Sequence, residues 1–420
     1  MSELISAVRV TPVAFRDLPL LNSVGVHEPF ALRTIVEIVT GSGLYGLGET
    51  YGDEPHLRRI ERAGTALIGT DIFDLHEIRR RVAVSLDHDD QAGGHGMAGM
   101  VTTSSTTDRV LSPFEVAALD LQGKIVGRPV SDLLGGAVRD RVSFTGYLFY
   151  KWAAHPGHDE DGWGAALDPG GIVRQATKMI HEYGFSSLKL KGGVFPPDQE
   201  VAAIQALRQA FPHTPLRLDP NAVWTVPTSI KVGLQLDGVL EYLEDPAAGI
   251  PEMAAVAREV PMPLATDMCV VAFDHLKPAV RQQAVGVVLA DHHFWGGLRR
   301  SQSLAAICDT FGLGLSMHSN SHLGISLAAM VHLAAATPNL DYTCDTHWPW
   351  KDPEDDVIVP GAIGFENGAV KVPVKPGLGV ELDRDALARL HQQYLDSGIR
   401  NRDDTGYMRR VNPDWKAPRW

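Results

Sequence analysis

The sequence predicts an α/β fold, a closed barrel of parallel β/α units with a further domain beside it. Three observations predict it. From about residue 140, short apolar runs alternate with segments of helical period, the pattern of parallel β/α units. Eight such runs fall within roughly 200 residues, matching the eight strands of a TIM-type barrel. Most of them end in a polar residue at a steady interval. The competing arrangement, an open doubly wound sheet, needs a glycine-rich phosphate turn, and these units have none.

The elements follow in chain order. Residues 7–50 read as paired strands, "AVRVTPVAF", "RTIVEIVT" and "LYGLGET". Gly41, Gly43 and Gly46 match G-x-G-x-x-G, but a dinucleotide fingerprint must open a helix, and these glycines lie between strand-like runs. Helical patterns follow at about 56–68 and 72–85. Residues 87–108 are rich in Gly, Ser and Thr and aperiodic, so they read as a disordered insert or a functional loop. A helix is expected to start at Ser112, with Pro113 at N1 and Glu115 completing a capping box. The eight barrel strands are "VSFTGYLFY", "SSLKLK", "PLRLD", "GVLEYLE", "PLATD", "VGVVLAD", "GLGLSMH" and "LDYTCD". "EVAAIQALRQAF" and "GISLAAMVHLAAAT" are two of the intervening helices. After the barrel, "VPVKPGLGVELD" reads as an irregular return before a last helix near 384–395.

Composition narrows the function classes. The 420 residues are 44% hydrophobic, enough to bury a sizeable core, and carry a formal net charge of −13. An acidic chain without a long Lys/Arg run fits neither nucleic acid nor an anionic membrane. No apolar run reaches the ~18 residues of a membrane span, and the start "MSELISAVRV" lacks a signal-peptide pattern. Three cysteines, none in a C-x-x-C pair, point to a reducing, cytoplasmic setting. Large enzymes of this kind are often symmetric assemblies, so a homo-oligomer is expected.

The strand ends carry the chemistry. From Lys191 the next strand-ending residues follow at 28 positions (Asp219), 25 (Glu244), 23 (Asp267), 24 (Asp291), 27 (His318) and 27 (Asp345). One β/α unit per step puts all seven at the C-terminal mouth of the barrel, where TIM-barrel enzymes keep their catalytic groups. Asp219, Glu244 and Asp267 end consecutive strands, and three converging carboxylates repel unless a cation joins them. Oxygen-only ligation suits Mg2+, with Mn2+ possible. Zinc is disfavoured because no His or Cys shares the cluster, and the His318/His322 pair spans a strand-to-loop junction. Lys189 and Lys191, two apart on one strand, share a face. Two adjacent ammonium groups near a metal make each other easier to deprotonate. Asp291 beside His318 fixes a tautomer and raises basicity. Bases on two sides of a metal suit abstraction of a proton α to a carboxylate. His292, His293 and the acidic run 351–356 read as structural or surface.

"LKLKGG", "LDPNAVW", "EDP", "ATDM", "LADHHFWGG", "HSNSHLGISLA" and "DTHWPW" together resemble the enolase superfamily, and within it the glucarate dehydratases. "NSVGVHEPF", "KPGLGVELD" and "RDD" match outside the barrel, so the resemblance covers nearly the whole chain. It implies a modified (β/α)7β barrel at 136–375, with residues 1–135 and the segment 376–420 forming an α+β capping domain. It implies Lys191 as base on one face of the α-carbon and His318, paired with Asp291, on the other. His318 would also assist departure of the β-hydroxyl. Lys189 and Asn320 would contact the substrate carboxylate, and His27, Tyr147, Asn221, His347 and Arg402 the rest of a small dicarboxylate sugar acid. The family's capping-domain threonine falls near Val101 or Thr102. Glucarate dehydratases carry Asn as third metal ligand where this chain has Asp267, which puts D-glucarate itself in question more than dehydration. An acid-sugar epimerase or racemase, or a non-catalytic relative, are the alternative readings.

Overall fold

The structure, a computed structural model, describes residues 3–87 and 103–420. The N-terminal part opens with β1 (Ile5–Arg16), a small hairpin of β2 (Leu21–Asn22) and β3 (Gly25–Val26), then β4 (Phe30–Thr40) and β5 (Tyr45–Tyr51). β1, β4 and β5 form an antiparallel sheet in that order. The G-x-G-x-x-G stretch is the β4–β5 hairpin, with Gly43 at φ +85°, so it opens no helix. Among the described residues four helices follow, α1 (Glu54–Ala66), α2 (Leu75–Ser85), α3 (Thr103–Val126) and α4 (Val130–Leu133). Ile60, Phe114 and Val36 share a small core beneath the sheet.

The barrel begins with β6 (Arg141–Phe149), α5 (Pro169–Tyr183), β7 (Leu188–Lys191), α6 (Pro197–Ala210), β8 (Leu216–Asp219) and α7 (Val226–Gln235). It continues with β9 (Tyr242–Glu244), α8 (Ile250–Ala257), β10 (Leu264–Thr266), α9 (Phe273–Gln282) and β11 (Val287–Ala290). The last units are α10 (Leu298–Phe311), β12 (Gly314–Met317), α11 (Gly324–Ala335) and β13 (Cys344–Thr346). Each of the eight strands coincides with one of the apolar runs read from the sequence, with β6 starting one residue before its run and β13 ending one residue after. A parallel ladder runs from β6 to β12, and β13 pairs with the other side of β6. The amides of Asp341 and Tyr342, just before β13, donate to the Leu315 carbonyl of β12 and draw the ring closed. A 3-10 turn (Trp348–Trp350), rather than an α-helix, follows β13. The fold is therefore a modified (β/α)7β barrel with an N-terminal capping domain.

The tail crosses back over the barrel. β14 (Phe365–Glu366) and β15 (Ala369–Lys371) extend β6 antiparallel. α12 (Arg384–Ser397) lies on β1, and Arg384 holds the Glu37 carboxylate with two bonds of 2.8 and 2.6 Å. α13 (Asp404–Val411) meets the β2–β3 hairpin through Asn22 and Thr405. Among the described residues no helix is long and apolar enough to cross a membrane, and the three cysteines are buried and unpaired.

One expectation needs correction. α3 already includes Thr103, so Ser112 does not cap its start and Pro113 lies inside the helix. The stretch 103–108 is helix, whereas 88–102, with the segment around Val101 and Thr102, lies outside the described residues. Glu115 caps a different helix: its carboxylate accepts the Leu298 and Arg299 amides, at 2.8 and 3.0 Å, at the start of α10. A capping box and a long-range cap both need an acid near exposed amides, so local spacing cannot tell them apart. Gly297 makes the approach possible, since a Cβ there would lie 2.2 Å from the Glu115 carboxylate. Burial pushes the Glu115 carboxyl up to about 7, with the two amides opposing. The folded chain then holds a proton that the unfolded chain releases near pH 4.5. The stability from this group is present below pH 4.5 and is lost as pH rises to about 7, a fall of up to about 3 kcal/mol. Urea midpoints at pH 5 and pH 7.5 are expected to converge in Glu115→Gln relative to the unmodified protein.

Candidate active site

The ladder register brings the strand-ending residues into one row. Phe149 aligns with Lys191 and Lys191 with Asp219, β9 continues the row to Glu244, and Glu244 aligns with Ala265, so Asp267 stands two residues further toward the mouth on the same face. Gly193 lets the turn after β7 press on the turn after β8. Its φ is +73°, and a Cβ would lie 2.3 Å from the Pro220 carbonyl. The buried Glu200 carboxylate gathers the amides of Gly193, Val194 and Phe195. The chain just beyond Lys191 is thereby held on both sides.

A cavity of about 580 Å³ opens at this end of the barrel, between barrel and capping domain. Nine of the thirteen site residues read from the sequence line it. Lys191, Asp267, His318 and Asn320 come from barrel strand ends, with Tyr147, Asn221 and His347 beside them. His27 and Arg402 close it from the capping side and the tail. Lys189, Asp219, Glu244 and Asp291 lie just behind the wall.

The two lysines share the interior face and part company there. Lys191 Nζ donates to Asp219 Oδ2 at 2.6 Å and Asn221 Oδ1 at 2.7 Å. Lys189 is fully buried, its Nζ 2.5 Å from Glu244 Oε1, 2.7 Å from Asp345 Oδ2 and 3.7 Å from Asp219 Oδ2. Tyr147 lies over it, the ammonium 4.6 Å from the ring centroid. Burial works against the Lys189 charge, but Asp345 and Glu244 outweigh it and hold its pKa well above the usual lysine value. Two expectations change. Lys189 is not made easier to deprotonate, because the carboxylates around it outweigh its lysine neighbour. It also does not line the cavity, because three acids and Tyr147 enclose it.

The acids are arranged for a cation. Burial raises the Glu244 carboxyl well above the usual range, with Lys189 opposing and Asp219 and Asp345 adding to the rise. Asp219 goes the other way: Lys191 and Lys189 overcome its burial and pull it to about 2. Glu244 Oε2 and Asp267 Oδ1 are buried with no hydrogen-bond partner among the described residues. Oxygens of Glu244, Asp245 and Asp267 lie within 4.8 Å of one another. Asp245 is committed elsewhere, accepting the Thr266 hydroxyl at 2.6 Å and the Asp267 amide at 2.8 Å. It orients the β10 end, a role the "EDP" motif contained but spacing alone did not single out. Glu244 and Asp267 keep free oxygens that fit a hard divalent ion, whereas Asp219 stands next to them with Oδ2 held by Lys191 and Oδ1 by the Asn221 amide.

His318 stands opposite Lys191. Its Nδ1 lies 3.0 Å from Asp291 Oδ2 and its Nε2 3.1 Å from Asp267 Oδ2. An imidazole does therefore touch the acid cluster, contrary to the expectation that excluded one. Its Nδ1 is engaged by Asp291 and the other donors are all oxygen, which still favours Mg2+ over zinc. Burial disfavours the imidazolium, but Asp267 and Asp291 prevail and raise the His318 pKa. His292 and His293 are buried rather than at the surface.

The remaining wall is polar and braced. Asn320 donates to the Tyr51 hydroxyl at 2.6 Å, and its own carbonyl oxygen is buried without a partner among the described residues. The Tyr147 hydroxyl reaches Asp219 at 3.3 Å, and its ring meets His347 edge-on. Asn221 donates to Ser23 of the capping hairpin at 2.7 Å. Arg402 bridges Asp17 and Asp404 at 3.2 and 2.8 Å, and His27 also meets Asp17. Tyr51 and Arg33, both lining the cavity from the capping sheet, were not singled out from the sequence. No local pattern separates them from other strand residues.

A family model described as Enolase C-terminal domain-like matches residues 171–386. The chain is 50% identical to a probable glucarate dehydratase of Streptomyces coelicolor, over 99% of each chain. An enolase from Gibberella zeae, crystallised with magnesium, formate and sulfate, superposes with a TM-score of 0.97 at 62% identity, covering 100% of this chain and 98% of the other. An enolase from Pseudomonas fluorescens with bound magnesium, potassium and tartrate superposes at 0.96 with 52% identity, covering 100% and 99%. With this fold, these strand-end residues and relatives matched over their full length, the chain belongs to the enolase superfamily.

Proposed function

We propose that this enzyme is a Mg2+-dependent acid-sugar dehydratase, a hydro-lyase acting on a glucarate-like hexarate. The observation that carries the reading is the cavity with Lys191 and His318 on opposite sides and unpartnered carboxylate oxygens between them. The dehydratase named among the full-length relatives supports it, as do the neighbours crystallised with magnesium and with tartrate, a diacid.

In this reading Asp219, Glu244 and Asp267 would hold the ion, and Mg2+ would supply Lewis-acid neutralisation of charge on the substrate carboxylate. Lys191, as the neutral amine, takes the α-proton, and the electron pair left behind forms the new C=C bond. The β-carbon–oxygen bond breaks, and the imidazolium of His318 gives its proton to the departing hydroxyl, so that water leaves. The resulting enol tautomerises to a deoxy-keto-aldarate. Asp291 keeps His318 in the tautomer whose Nε2 faces the cavity. Asn320 offers its amide to the carboxylate. Asn221, Tyr147 and His347 line the substrate's path toward His27 and Arg402 at the far end. Lys189 supplies fixed positive charge beneath the acids.

The test is incubation with Mg2+ and a panel of aldaric and aldonic acids, with the keto product assayed directly. A keto product from at least one hexarate is expected. No product from any diacid, with Mg2+ binding shown by calorimetry, overturns the reading. Solvent deuterium entering recovered substrate without loss of water would instead favour the epimerase reading.

A further inference from the structure

His293 makes contacts that the proposed chemistry has not used. It is 2% exposed. Its Nδ1 lies 2.7 Å from Asp291 Oδ1, the oxygen that also accepts the His293 amide at 2.9 Å. On its other side, Nε2 lies 2.9 Å from Arg33 Nη2 and 2.9 Å from Ser326 Oγ. Arg33 belongs to β4 of the capping sheet. Its Nε donates to Glu49 at 2.8 Å, and Glu49 accepts the Leu323 and Ser326 amides at the start of α11.

The donor inventory determines the protons. A guanidinium has no acceptor, so Arg33 can only donate to His293 Nε2. That nitrogen carries the lone pair, and the ring hydrogen is on Nδ1. Asp291 Oδ1 thus receives two N–H donors, one from the ring and one from the backbone of the same residue. The carboxylate cannot rotate without losing both. Oδ2 is left to face His318 Nδ1, the arrangement that keeps the His318 Nε2 toward the cavity.

We infer that His293, oriented by Arg33, is a positioning residue that locks the Asp291 carboxylate and through it the orientation of His318. The chain Arg33–His293–Asp291–His318 starts in the capping domain and ends at the cavity. The aim of the histidine therefore depends on the docked capping sheet as well as on the barrel. The inference rests on the dehydratase reading for its kinetic consequence, but its geometry does not.

The kinetic test compares His293→Phe with His293→Asn on whichever acid sugar the unmodified enzyme dehydrates. Phe removes all three polar contacts of the ring, to Asp291, Arg33 and Ser326. Asn places its Nδ2–H near the position of the imidazole Nδ1–H, so it keeps the donor to Asp291 and loses the Arg33 and Ser326 contacts of Nε2. His293→Phe is expected to lower kcat by about 10–100-fold, the scale of a misplacement of about 1 Å, with KM little changed. His293→Asn is expected to recover part of the loss, the remainder being the share carried by the Arg33 link. Unchanged kcat in His293→Phe, or equal impairment in both variants, overturns the proposal. A second measurement needs no variant: in 15N-histidine-labelled protein, His293 is expected as the neutral Nδ1–H tautomer, and an Nε2–H tautomer overturns the proposal. If the unmodified enzyme dehydrates no acid sugar, the functional reading fails while the tautomer measurement still decides this one.

Discussion

Lys191→Ala is expected to lower kcat by about 10²–10⁴-fold, the range for removal of a positioned general base. It should also abolish entry of solvent deuterium at the α-carbon, with the urea midpoint little changed. The reason lies in what each lysine leaves behind. Lys191 lines the cavity and holds Asp219 from the open side. With it gone, Asp219 still has the Asn221 amide at 2.9 Å and the Lys189 ammonium at 3.7 Å, so no buried carboxylate is stranded. Lys189→Ala removes the ion that Glu244 and Asp345 share. Leaving buried charges without their partner costs about 3–5 kcal/mol, so that variant should be lost to instability before catalysis can be read. A stable, inactive Lys191→Ala beside an unstable Lys189→Ala would separate base from fixed charge. Deuterium exchange at the unmodified rate in Lys191→Ala would remove Lys191 as base and favour a non-catalytic relative.

The same contrast shows what the sequence made legible. Strand period placed Lys189 and Lys191 on one interior face, and the β/α interval brought their row to the barrel mouth. Both readings depend on regular backbone geometry, which is local. Which lysine meets the cavity depends on where Tyr147, Glu244 and Asp345 fall around the ring, and no spacing along the chain encodes that. Glu115 shows the same limit, since its partners are the α10 amides 183 and 184 residues away. Arg33 and His293 are 260 residues apart and still touch. Motif spacing assigned Asp291 and His318 to adjacent strands but left His293 among the structural residues. Its importance appears only when its two ring nitrogens have named partners.

Asp291→Asn is expected to cost on the order of 10⁴-fold in dehydration, the scale at which an Asp-to-Asn change beside a catalytic histidine leaves the wrong tautomer. The carboxylate accepts three N–H donors, two from His293 on Oδ1 and one from His318 on Oδ2. An amide of the same shape has one accepting oxygen and one donating nitrogen. The oxygen is expected to stay with His293, whose ring and backbone donors are both fixed. The NH2 group then faces His318 Nδ1, and two donors cannot share a hydrogen bond. His318 escapes by moving its hydrogen to Nε2, which leaves Nδ1 accepting from the substituted amide and removes the acid's readiness to cycle its proton at the cavity. Lys191 is untouched by this rearrangement. The variant should therefore continue to exchange the α-proton of a substrate presented to the Lys191 side while failing to release water. Deuterium appearing in recovered substrate, with keto product suppressed, is the expected pattern. Dehydration at the unmodified rate would remove the Asp291–His318 pair from the mechanism. Loss of exchange and elimination together, in a protein that stays folded, would mean that His318 rather than Lys191 takes the proton.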